Sequence, residues 1–360
     1  MSIFSIFRRD KKTPIINDNS SSPEAEFVLD RKAKKIGLKS SIMEYAAIKR
    51  NIDVERLSRR VILVKPKKGD PIAFTQMNGE YSSLVGMHIC NRKHDTRKIL
   101  RDNGINVTKS KKFTYKDMNE GLKYAQEIGF PVVIKPTTLS RGRGVTANIK
   151  NEKEFENAWN HAVSAYKKSR KTKDILVEKH FEGYDYRVFV VGDKVVSATL
   201  RKRANVVGDG VSTIKELIQQ KNKNRLLNPY LEGYLIPEDE SQLDLLVRQN
   251  YKLDDVLEKG QELTLRSPSN ISAGGDSIDV TDEIHKDFEE IAISAVKAIP
   301  GITYAGVDFI AKTLSEKPNS SNHIVSEIEF SPAPIAQFPY EGKYRDIAGE
   351  LLEYYLNQRR

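Results

Sequence analysis

Cysteines and long apolar runs are scarce in this sequence. Its one cysteine, Cys90, excludes an intramolecular disulfide and is typical of proteins in the reducing cytoplasm. A helix that crosses a membrane needs about 20 consecutive apolar residues, and no run approaches that length, so we expect no membrane span. The start, MSIFSIFRRDKK, places an apolar stub before the basic residues, the reverse of a secretory signal. We therefore expect a cytoplasmic protein.

The sequence also lacks the signatures of several catalytic classes. Its six histidines show no zinc-like pair spacing, and it contains no paired-cysteine motif and no Ser/His/Asp signature. The net charge of +10 comes from 59 Lys+Arg against 49 Asp+Glu, spread along the chain. Because no basic motif is interleaved with aromatic residues, we expect no nucleic-acid binding. Small polyanions and anionic lipids also suit a basic protein, and bulk charge does not choose among them.

The length and the patterning predict several domains. A chain of 360 residues predicts two or three domains, and 39% hydrophobic with 30% charged residues is ordinary for a globular protein. Residues 1–25, rich in Ser, Asn and Pro, are predicted to form a disordered leader. Helical and strand patterns alternate afterwards, which predicts an α/β (α+β) fold. We expect a small N-terminal α/β domain over 26–112, a second unit over 113–177 and a strand-rich unit over 178–360.

One segment, IKPTTLSRGRGVTANI, places Lys135 at the end of an apolar strand and follows it with a loop rich in Gly and Arg. The loop formally matches a dinucleotide fingerprint, but that motif opens a helix, whereas VTANI predicts a strand. No Gly-Lys-Ser/Thr follows, which excludes a Walker-type loop. What remains is a loop between antiparallel strands whose backbone N–H groups can approach phosphate oxygens. From the loop alone, a plain hairpin with exposed arginines is an equally open interpretation.

Three carboxylates near the C-terminus are candidates for a metal site. Glu327 and Glu329 are two apart in a predicted strand and project from one face, and Asp308 is the single charge in the apolar strand AGVDFIA. Two carboxylates about 4 Å apart repel by roughly 4 kcal/mol at an effective dielectric near 20. If the three converge, oxygen ligands favour Mg²⁺ or Mn²⁺. A half-exposed strand with its acids in water is the alternative for Glu327 and Glu329.

Eight segments in sequence order resemble the ATP-grasp ligases, in particular the ATP-grasp domains of cyanophycin synthetase and the bifunctional glutathione synthetases. They begin at about Arg92 and are RKHDTRKILRDNGINV, IGFPVVIKP, GRGVTANI, ILVEKHFEGYDYRVFVVGDKVV, VVGDGVSTIKELI, SNISAGGDSIDVTDEIH, YAGVDFIA, and EIEFSPAP with FPYEGK. The resemblance implies an ATP-grasp fold, in which two α+β subdomains grip ATP between antiparallel sheets. It implies a carboxylate–amine ligase that uses ATP and two Mg²⁺ ions, or Mn²⁺, and forms an acyl phosphate.

The resemblance also assigns roles to individual positions. The residues expected to contact the ATP phosphates are Lys93, Lys135 and the loop residues Arg141, Gly142, Arg143, Gly144 and Val145. The residues expected at the adenine and the ribose are Glu178, Lys179, Phe181 and Asp185. The metal positions are Asp308, Glu327 and Glu329. The arginines expected to stabilise the acyl phosphate or its precursor are Arg187, Arg201 and Arg266. The acceptor wall includes Asn270, Gly274 and Gly275.

Two positions depart from the family pattern. Glu329 stands where relatives usually carry Asn, which keeps an oxygen ligand but makes the site more anionic, and Ala336-Gln337 stand where relatives often carry Met-His. The sequence thus predicts a ligase that joins an amino acid or small peptide to an amine. A catalytically degenerate nucleotide-binding module and a kinase that stops at a phosphorylated product are the alternatives. A homodimer and a homotetramer both remain open.

Overall fold

The computed structural model describes residues 22–137, 139, 143–166 and 173–359. Within them the strands form four sheets whose ladders are all antiparallel. Helices and strands are mixed along the chain, which confirms the predicted α+β class. No helix in these ranges has the length and apolar character needed to cross a membrane.

The N-terminal unit consists of helices and a three-stranded sheet in the order β1-β2-β3. Its elements are α1 (Pro23–Ala33), α2 (Leu38–Ile48), β1 (Asp53–Arg56), β2 (Val61–Lys65), β3 (Ile72–Thr75), α3 (Leu84–Cys90) and α4 (Lys93–Asp102). Helix α1 starts inside the stretch predicted as a leader, because Ser22 caps it by accepting a hydrogen bond from the backbone N–H of Ala25. Residues 1–21 lie outside the described ranges.

The second unit is a four-stranded sheet covered by two helices, which we call the lid. Its sheet order is β4-β7-β5-β6. The elements are β4 (Ser110–Thr114), α5 (Met118–Ile128), β5 (Val132–Pro136), β6 (Thr146–Ile149), α6 (Glu152–Ser164) and β7 (Asp174–Lys179). Its core gathers apolar residues between Phe113 and Val177 around Trp159. Two predicted domain boundaries, after residues 112 and 177, fall inside β4 and β7.

The C-terminal unit is a five-stranded sheet in the order β12-β9-β8-β13-β14. Its strands are β8 (Tyr184–Val191), β9 (Lys194–Lys202), β12 (Asp276–Asp279), β13 (Tyr304–Ala311) and β14 (His323–Glu329). Helix α9 (Lys286–Lys297) packs its apolar face on one side of this sheet. Helix α10 (Ile347–Asn357) packs on α2 and shares one apolar core with the N-terminal unit.

A smaller unit with its own apolar core is inserted between β9 and β12. Its elements are β10 (Asn205–Val207), α7 (Ile214–Leu226), α8 (Glu240–Arg248) and β11 (Glu262–Thr264). Thr213 and Glu216 form a capping box at the start of α7, which fixes where that helix begins.

Helix α5 approaches Trp159 so closely that Gly121 is needed at the contact. A Cβ atom added there would lie 2.6 Å from the buried indole ring. We expect Gly121→Ala to destabilise the protein by about 1–3 kcal/mol, because overpacking outweighs the gain of about 1 kcal/mol in helix propensity. Urea unfolding followed by the fluorescence of Trp159, the only tryptophan, measures this. Lys123→Ala, at an exposed position of α5, is the control and should change little; a Gly121→Ala protein as stable as the control contradicts the prediction.

Candidate active site

A row of charged side chains crosses the five-stranded sheet. Arg187 on β8 stands opposite Asp308 on β13, and Asp308 stands opposite Glu327 on β14. Residues directly opposite in antiparallel strands lie on the same face with Cβ atoms about 4.5–5.5 Å apart. Arg187, Asp308 and Glu327 therefore face the same side of the sheet, the side opposite to the apolar residues that pack on α9.

A bulge in β14 sets this alignment. Phe309 pairs with Val325 while Asp308 pairs with Glu327, so Ser326 is the extra residue. In a regular ladder Ser326 would stand opposite Asp308 and the glutamates would face the other side. A bulge changes the direction of the side chains that follow it. Here it places Glu327 and Glu329 on the face that carries Asp308.

Asp308 is bound by two arginines. Arg187 donates from Nε and Nη2 at 2.7 and 2.9 Å, and Arg201 donates from Nη2 at 2.8 Å. Burial alone would raise the pKa of Asp308, but the two guanidinium groups hold it below the usual value. Arg201 also binds Asp185, whose second oxygen accepts a hydrogen bond of 2.5 Å from Ser269. Asp185, the residue predicted at the ribose, thus lies beside Arg201.

The chemistry of the three carboxylates suits Mg²⁺, but basic residues already occupy two of them. Both oxygens of Asp308 accept from arginine, and Glu327 accepts from Lys93 at 2.8 Å. The side chain of Glu329 is 43% exposed, and its nearest cation, Arg187, is 3.8 Å away. Among the described residues, no group of three or more His, Cys, Asp and Glu is placed to hold a metal ion. Of the three acids, Asp308 is thus the one most fully engaged by cations and Glu329 the least.

The two predicted phosphate lysines lie where the lid meets the five-stranded sheet. Lys135 on β5 donates to Glu178 on β7 at 2.6 Å, and Lys93 on α4 donates to Glu327. Burial lowers the pKa of Lys135 to about 8, with Arg97 and Lys93 adding to the effect and Glu178 opposing it. Against the effect of burial, Arg97 and Lys135 lower the pKa of Glu178 to about 2. Lys93 thus contacts one of the predicted metal acids, whereas the ion-pair partner of Lys135 is Glu178 within the lid.

Arg97, which the sequence reasoning missed, joins these two groups. Its Nη1 donates to Glu178 in the lid, and its Nη2 donates at 3.2 Å to the carbonyl of Ser326, the bulge residue. Arg97 is 1% exposed. A signal was present in the sequence, because Lys93 and Arg97 are four apart on α4 and therefore lie on one helical face.

The glycine-rich loop is described only in part, since Arg141 and Gly142 lie outside the described residues. Arg143 is exposed, and Val145 is 39% exposed. Gly144 is buried with a φ of 71°, and a Cβ atom there would lie 2.7 Å from that of Ala165 and 2.9 Å from Cγ of Pro136. A side chain at position 144 is excluded both by the left-handed backbone and by space.

The other predicted adenine residues have structural partners. Lys179 donates from Nζ to the carbonyls of Gly129 and Phe130 at 2.9 and 3.0 Å, which braces the turn between α5 and β5. Phe181 is half-buried just after β7. These contacts leave the predicted role of the segment in adenine binding untested.

The third predicted arginine belongs to a different group of contacts. Arg266 donates from both terminal nitrogens to Asp239 at 2.7 and 2.8 Å, and Asp239 is the N-cap of α8. Its described ion-pair partner thus lies outside the cluster around Asp308.

The predicted acceptor wall forms a tight turn before β12. The backbone carbonyl of Asn270 accepts a hydrogen bond from the backbone N–H of Gly275 at 3.2 Å, and Gly274 has a φ of 89°. The carbonyl of Gly275 accepts from Arg225 at 3.1 Å. Strand β12, which follows, pairs Ser277 with Arg201, so the turn adjoins the charged row.

The two departures from the family pattern have different surroundings. Glu329 lies at the edge of the charged row, whereas Gln337 is fully buried below it. Gln337 donates to Glu24 at 2.7 Å and to the hydroxyl of Tyr344 at 2.9 Å, and accepts from the backbone of Ala348 at 3.2 Å. Gln337 therefore fastens α1 to the C-terminal segment.

Lys39, at the start of α2, brings the N-terminal unit to the edge of the site. It donates to the carbonyl and the hydroxyl of Ser331 at 2.6 and 3.0 Å, and Asn78 donates to the same hydroxyl at 3.1 Å. Burial lowers the pKa of Lys39 to about 8, Glu329 opposes this and Arg187 adds to it. Sequence reasoning also missed this residue.

The comparisons with known proteins bear on the fold and the family of the chain. The family described as carbamoyl-phosphate synthase L chain, ATP binding domain, matches residues 92–207, which include both candidate phosphate lysines and Glu178. The crystal structure of a bifunctional glutathione synthetase from Pasteurella multocida is similar with a TM-score of 0.68 and 31% sequence identity, over 90% of this chain and 44% of that chain. The chain carries an ATP-grasp domain. The predicted fold and family are thus confirmed.

The curated relatives include a glutathione biosynthesis protein and a cyanophycin synthetase. The chain is 31% identical over 334 residues to the glutathione biosynthesis bifunctional protein of Clostridium perfringens, over 89% of this chain and 41% of that protein. It is 33% identical over 280 residues to the cyanophycin synthetase of Synechocystis, over 76% of this chain and 31% of that protein. The chain spans well under half the length of these curated relatives.

The environment of Lys39 predicts a pH-dependent stability. Its folded pKa near 8 lies below the ordinary 10.5, so between these values the unfolded chain keeps a proton that the folded protein has released. Stability from this group therefore rises with pH over that window. Relative to Lys39→Met, the wild type should gain about 2 kcal/mol between pH 7.5 and 10.

Urea unfolding followed by circular dichroism at several pH values measures this difference. Lys49→Met, at an exposed position at the end of α2, is the control and should follow the wild type at every pH. Parallel stability curves for the wild type and Lys39→Met would show that the lysine is not buried as described.

Proposed function

We propose that this chain is an ATP-dependent carboxylate–amine ligase that joins an amino acid or small peptide to an amine. One observation carries the proposal: Lys93 on α4 pairs with Glu327 of the five-stranded sheet, and Lys135 pairs with Glu178 inside the lid. Arg97 joins the two groups, because it donates to Glu178 and to the carbonyl of Ser326 on β14. Similarity to glutathione-forming and cyanophycin-forming proteins supports it. These relatives form amide bonds, as the proposed reaction does.

The proposed reaction has two steps. An oxygen of the substrate carboxylate attacks the γ-phosphorus of ATP, the bond to the bridging oxygen breaks, and ADP leaves. The amine nitrogen then attacks the carbonyl carbon, phosphate leaves with the electrons of the C–O bond, and the nitrogen loses a proton. Phosphoryl transfer of this kind depends on positioning and on neutralising charge more than on covalent catalysis. The lysines and arginines of the site supply both.

We assign the roles of the metal residues from the contacts. Glu327 and Glu329 are the residues that would hold Mg²⁺ when it binds with ATP. Asp308 joins them only if it gives up an arginine, and otherwise orients Arg187 and Arg201 toward the reacting carboxylate. Two ions, and Mn²⁺ in place of Mg²⁺, remain part of the proposal. The magnesium supplies neutralisation of phosphate charge.

The remaining assignments are also proposals. Glu178, Lys179 and Phe181 are placed at the adenine, Asp185 at the ribose, and Arg143, Gly144 and Val145 over the phosphates together with Arg141 and Gly142. Arg266, Asn270, Gly274 and Gly275 are placed at the acceptor substrate. A cytoplasmic location and a homodimer or homotetramer complete the proposed picture, and the single buried Cys90 supports the location.

Removing the lid lysine tests the assignment directly. Lys135→Ala should lower substrate-dependent ADP release by about 100-fold or more, because one preorganised charge at the phosphates is lost. The fold should persist, since Arg97 still pairs with Glu178. Coupled-enzyme detection of ADP measures the loss, circular dichroism checks the fold, and Lys150→Ala, at an exposed position, is the control. Undiminished turnover by Lys135→Ala contradicts the assignment.

A nucleotide-binding module without ligase activity is the second candidate. The observation that favours it is the full engagement of Asp308 by two arginines, with no three-acid metal group among the described residues. Calorimetry with ATP and Mg²⁺, followed by an ADP-release screen over pairs of amino acids and dipeptides, separates the candidates. Tight binding without turnover on every pair supports the module. A phosphorylated product without an amide, detected by mass spectrometry, supports a kinase.

A further inference from the structure

Glu178 is a buried carboxylate with two cations. Lys135 donates to its Oε1 at 2.6 Å, and Arg97 donates to its Oε2. All three side chains are at most 11% exposed, so water screens them little. Removing the partner of a buried charge strongly destabilises a protein. The arrangement of these three groups therefore depends on each of them keeping an oppositely charged partner.

The proposed function requires Lys135 to serve a second anion. A lysine ammonium has three donors on a flexible stem, so it can turn from Glu178 toward a phosphate. Arg97 is not free in the same way, because its second terminal nitrogen is held by the carbonyl of Ser326 at the bulge. Among the two cations, the arginine is therefore fixed to the scaffold and the lysine is the one that can move.

We propose that Arg97 is the permanent counter-ion of Glu178, and that by neutralising this buried carboxylate it frees Lys135 to bind the triphosphate. The inference rests on the proposed function only in taking ATP as the ligand of Lys135. Arg97 is thus a positioning residue that acts through Glu178 and Lys135. The guanidinium of Arg97 makes both contacts at once, to the acid in the lid and to the carbonyl of Ser326 on β14, and its positive charge is what neutralises Glu178.

The arrangement of the second lysine supports this division of roles. Lys93 is paired with Glu327, and among the described residues no second cation forms an ion pair with Glu327. Glu327, however, is a proposed metal ligand, so Mg²⁺ arriving with ATP would replace the lysine as its counter-charge. Glu178 is not a proposed metal ligand, and the adenine proposed beside it brings no positive charge. Glu178 therefore needs a counter-ion from the protein itself, and Arg97 is the residue in place.

The test is a double-mutant cycle read out by ATP binding. Isothermal calorimetry with ATP and Mg²⁺, without carboxylate substrate, gives Kd for the wild type, Arg97→Gln, Glu178→Gln and the double variant. We expect Arg97→Gln to raise Kd at least tenfold in the wild-type background, because Lys135 is then the last partner of Glu178. In the Glu178→Gln background the same change should alter Kd less than about threefold, since no buried carboxylate remains to be neutralised.

A merely structural arginine predicts a different result. If Arg97 only braces α4 against the lid, its loss weakens binding by the same factor in both backgrounds, and that outcome overturns the inference. Thermal unfolding of all four proteins accompanies the binding data. If Arg97→Gln does not fold, Arg97→Lys takes its place: it keeps the positive charge and should hold Kd within about threefold of the wild type, and a tenfold loss overturns the inference.

The wild-type measurements separate this inference from the proposed function. In one outcome the wild type binds ATP, loses affinity on Arg97→Gln only when Glu178 is present, and turns over no substrate pair. That result supports the role of Arg97 and contradicts the proposed ligase activity. Turnover of a substrate pair, with the same loss of ATP affinity on Arg97→Gln in both backgrounds, supports the ligase and contradicts the role of Arg97. A wild-type protein that does not bind ATP overturns both.

Discussion

One extra residue in strand β14 governs the geometry of the site. The bulge at Ser326 turns Glu327 and Glu329 to the face that carries Asp308 and Arg187, and the carbonyl of the same residue receives Arg97. Without it, the acids would lie on the side packed by α9, which carries an apolar core. The bulge is therefore both a change of direction in the strand and an anchor for the arginine that reaches the lid.

The acids of the site and of the adjoining lid are held in ion pairs. Asp308 is held by two arginines, Glu178 by Arg97 and Lys135, and Glu327 by Lys93. Each of these three acids thus has a base from another element, and the pair of Arg97 with Glu178 crosses between α4 and the lid. Such pairs contribute less to net stability than to a unique arrangement of the elements. They also keep a set of cations close to where a polyanion is proposed to bind.

Much of this site could be predicted from local sequence. Lys135 at the end of an apolar strand and Asp308 alone among apolar residues stand out because burying a charge is unfavourable without a function or a partner. Gly144 was predicted from the loop composition, and its left-handed backbone agrees. The alternation in VSEIEF correctly placed Glu327 and Glu329 on one face. Family resemblance then supplied the order of the segments.

What local sequence could not supply depends on pairing between distant segments. A bulge exists only relative to its partner strand, so nothing in VSEIEF alone indicates that Ser326 is unpaired. Arg97 resembles an ordinary surface residue of a charged helix until Glu178 is placed beside it. The predicted domain boundaries after residues 112 and 177 likewise cut β4 and β7. These two strands pair with each other although they lie far apart in the sequence.

The distribution of apolar cores constrains how the molecule can move. The N-terminal unit shares its core with α10 and is further tied down by Glu24 and Gln337, so it forms one body with the end of the chain. The lid, by contrast, encloses a core drawn only from its own residues. A rotation that admits and releases a ligand can therefore be confined to the lid, while the ion pair between Arg97 and Glu178 keeps the lid attached to α4.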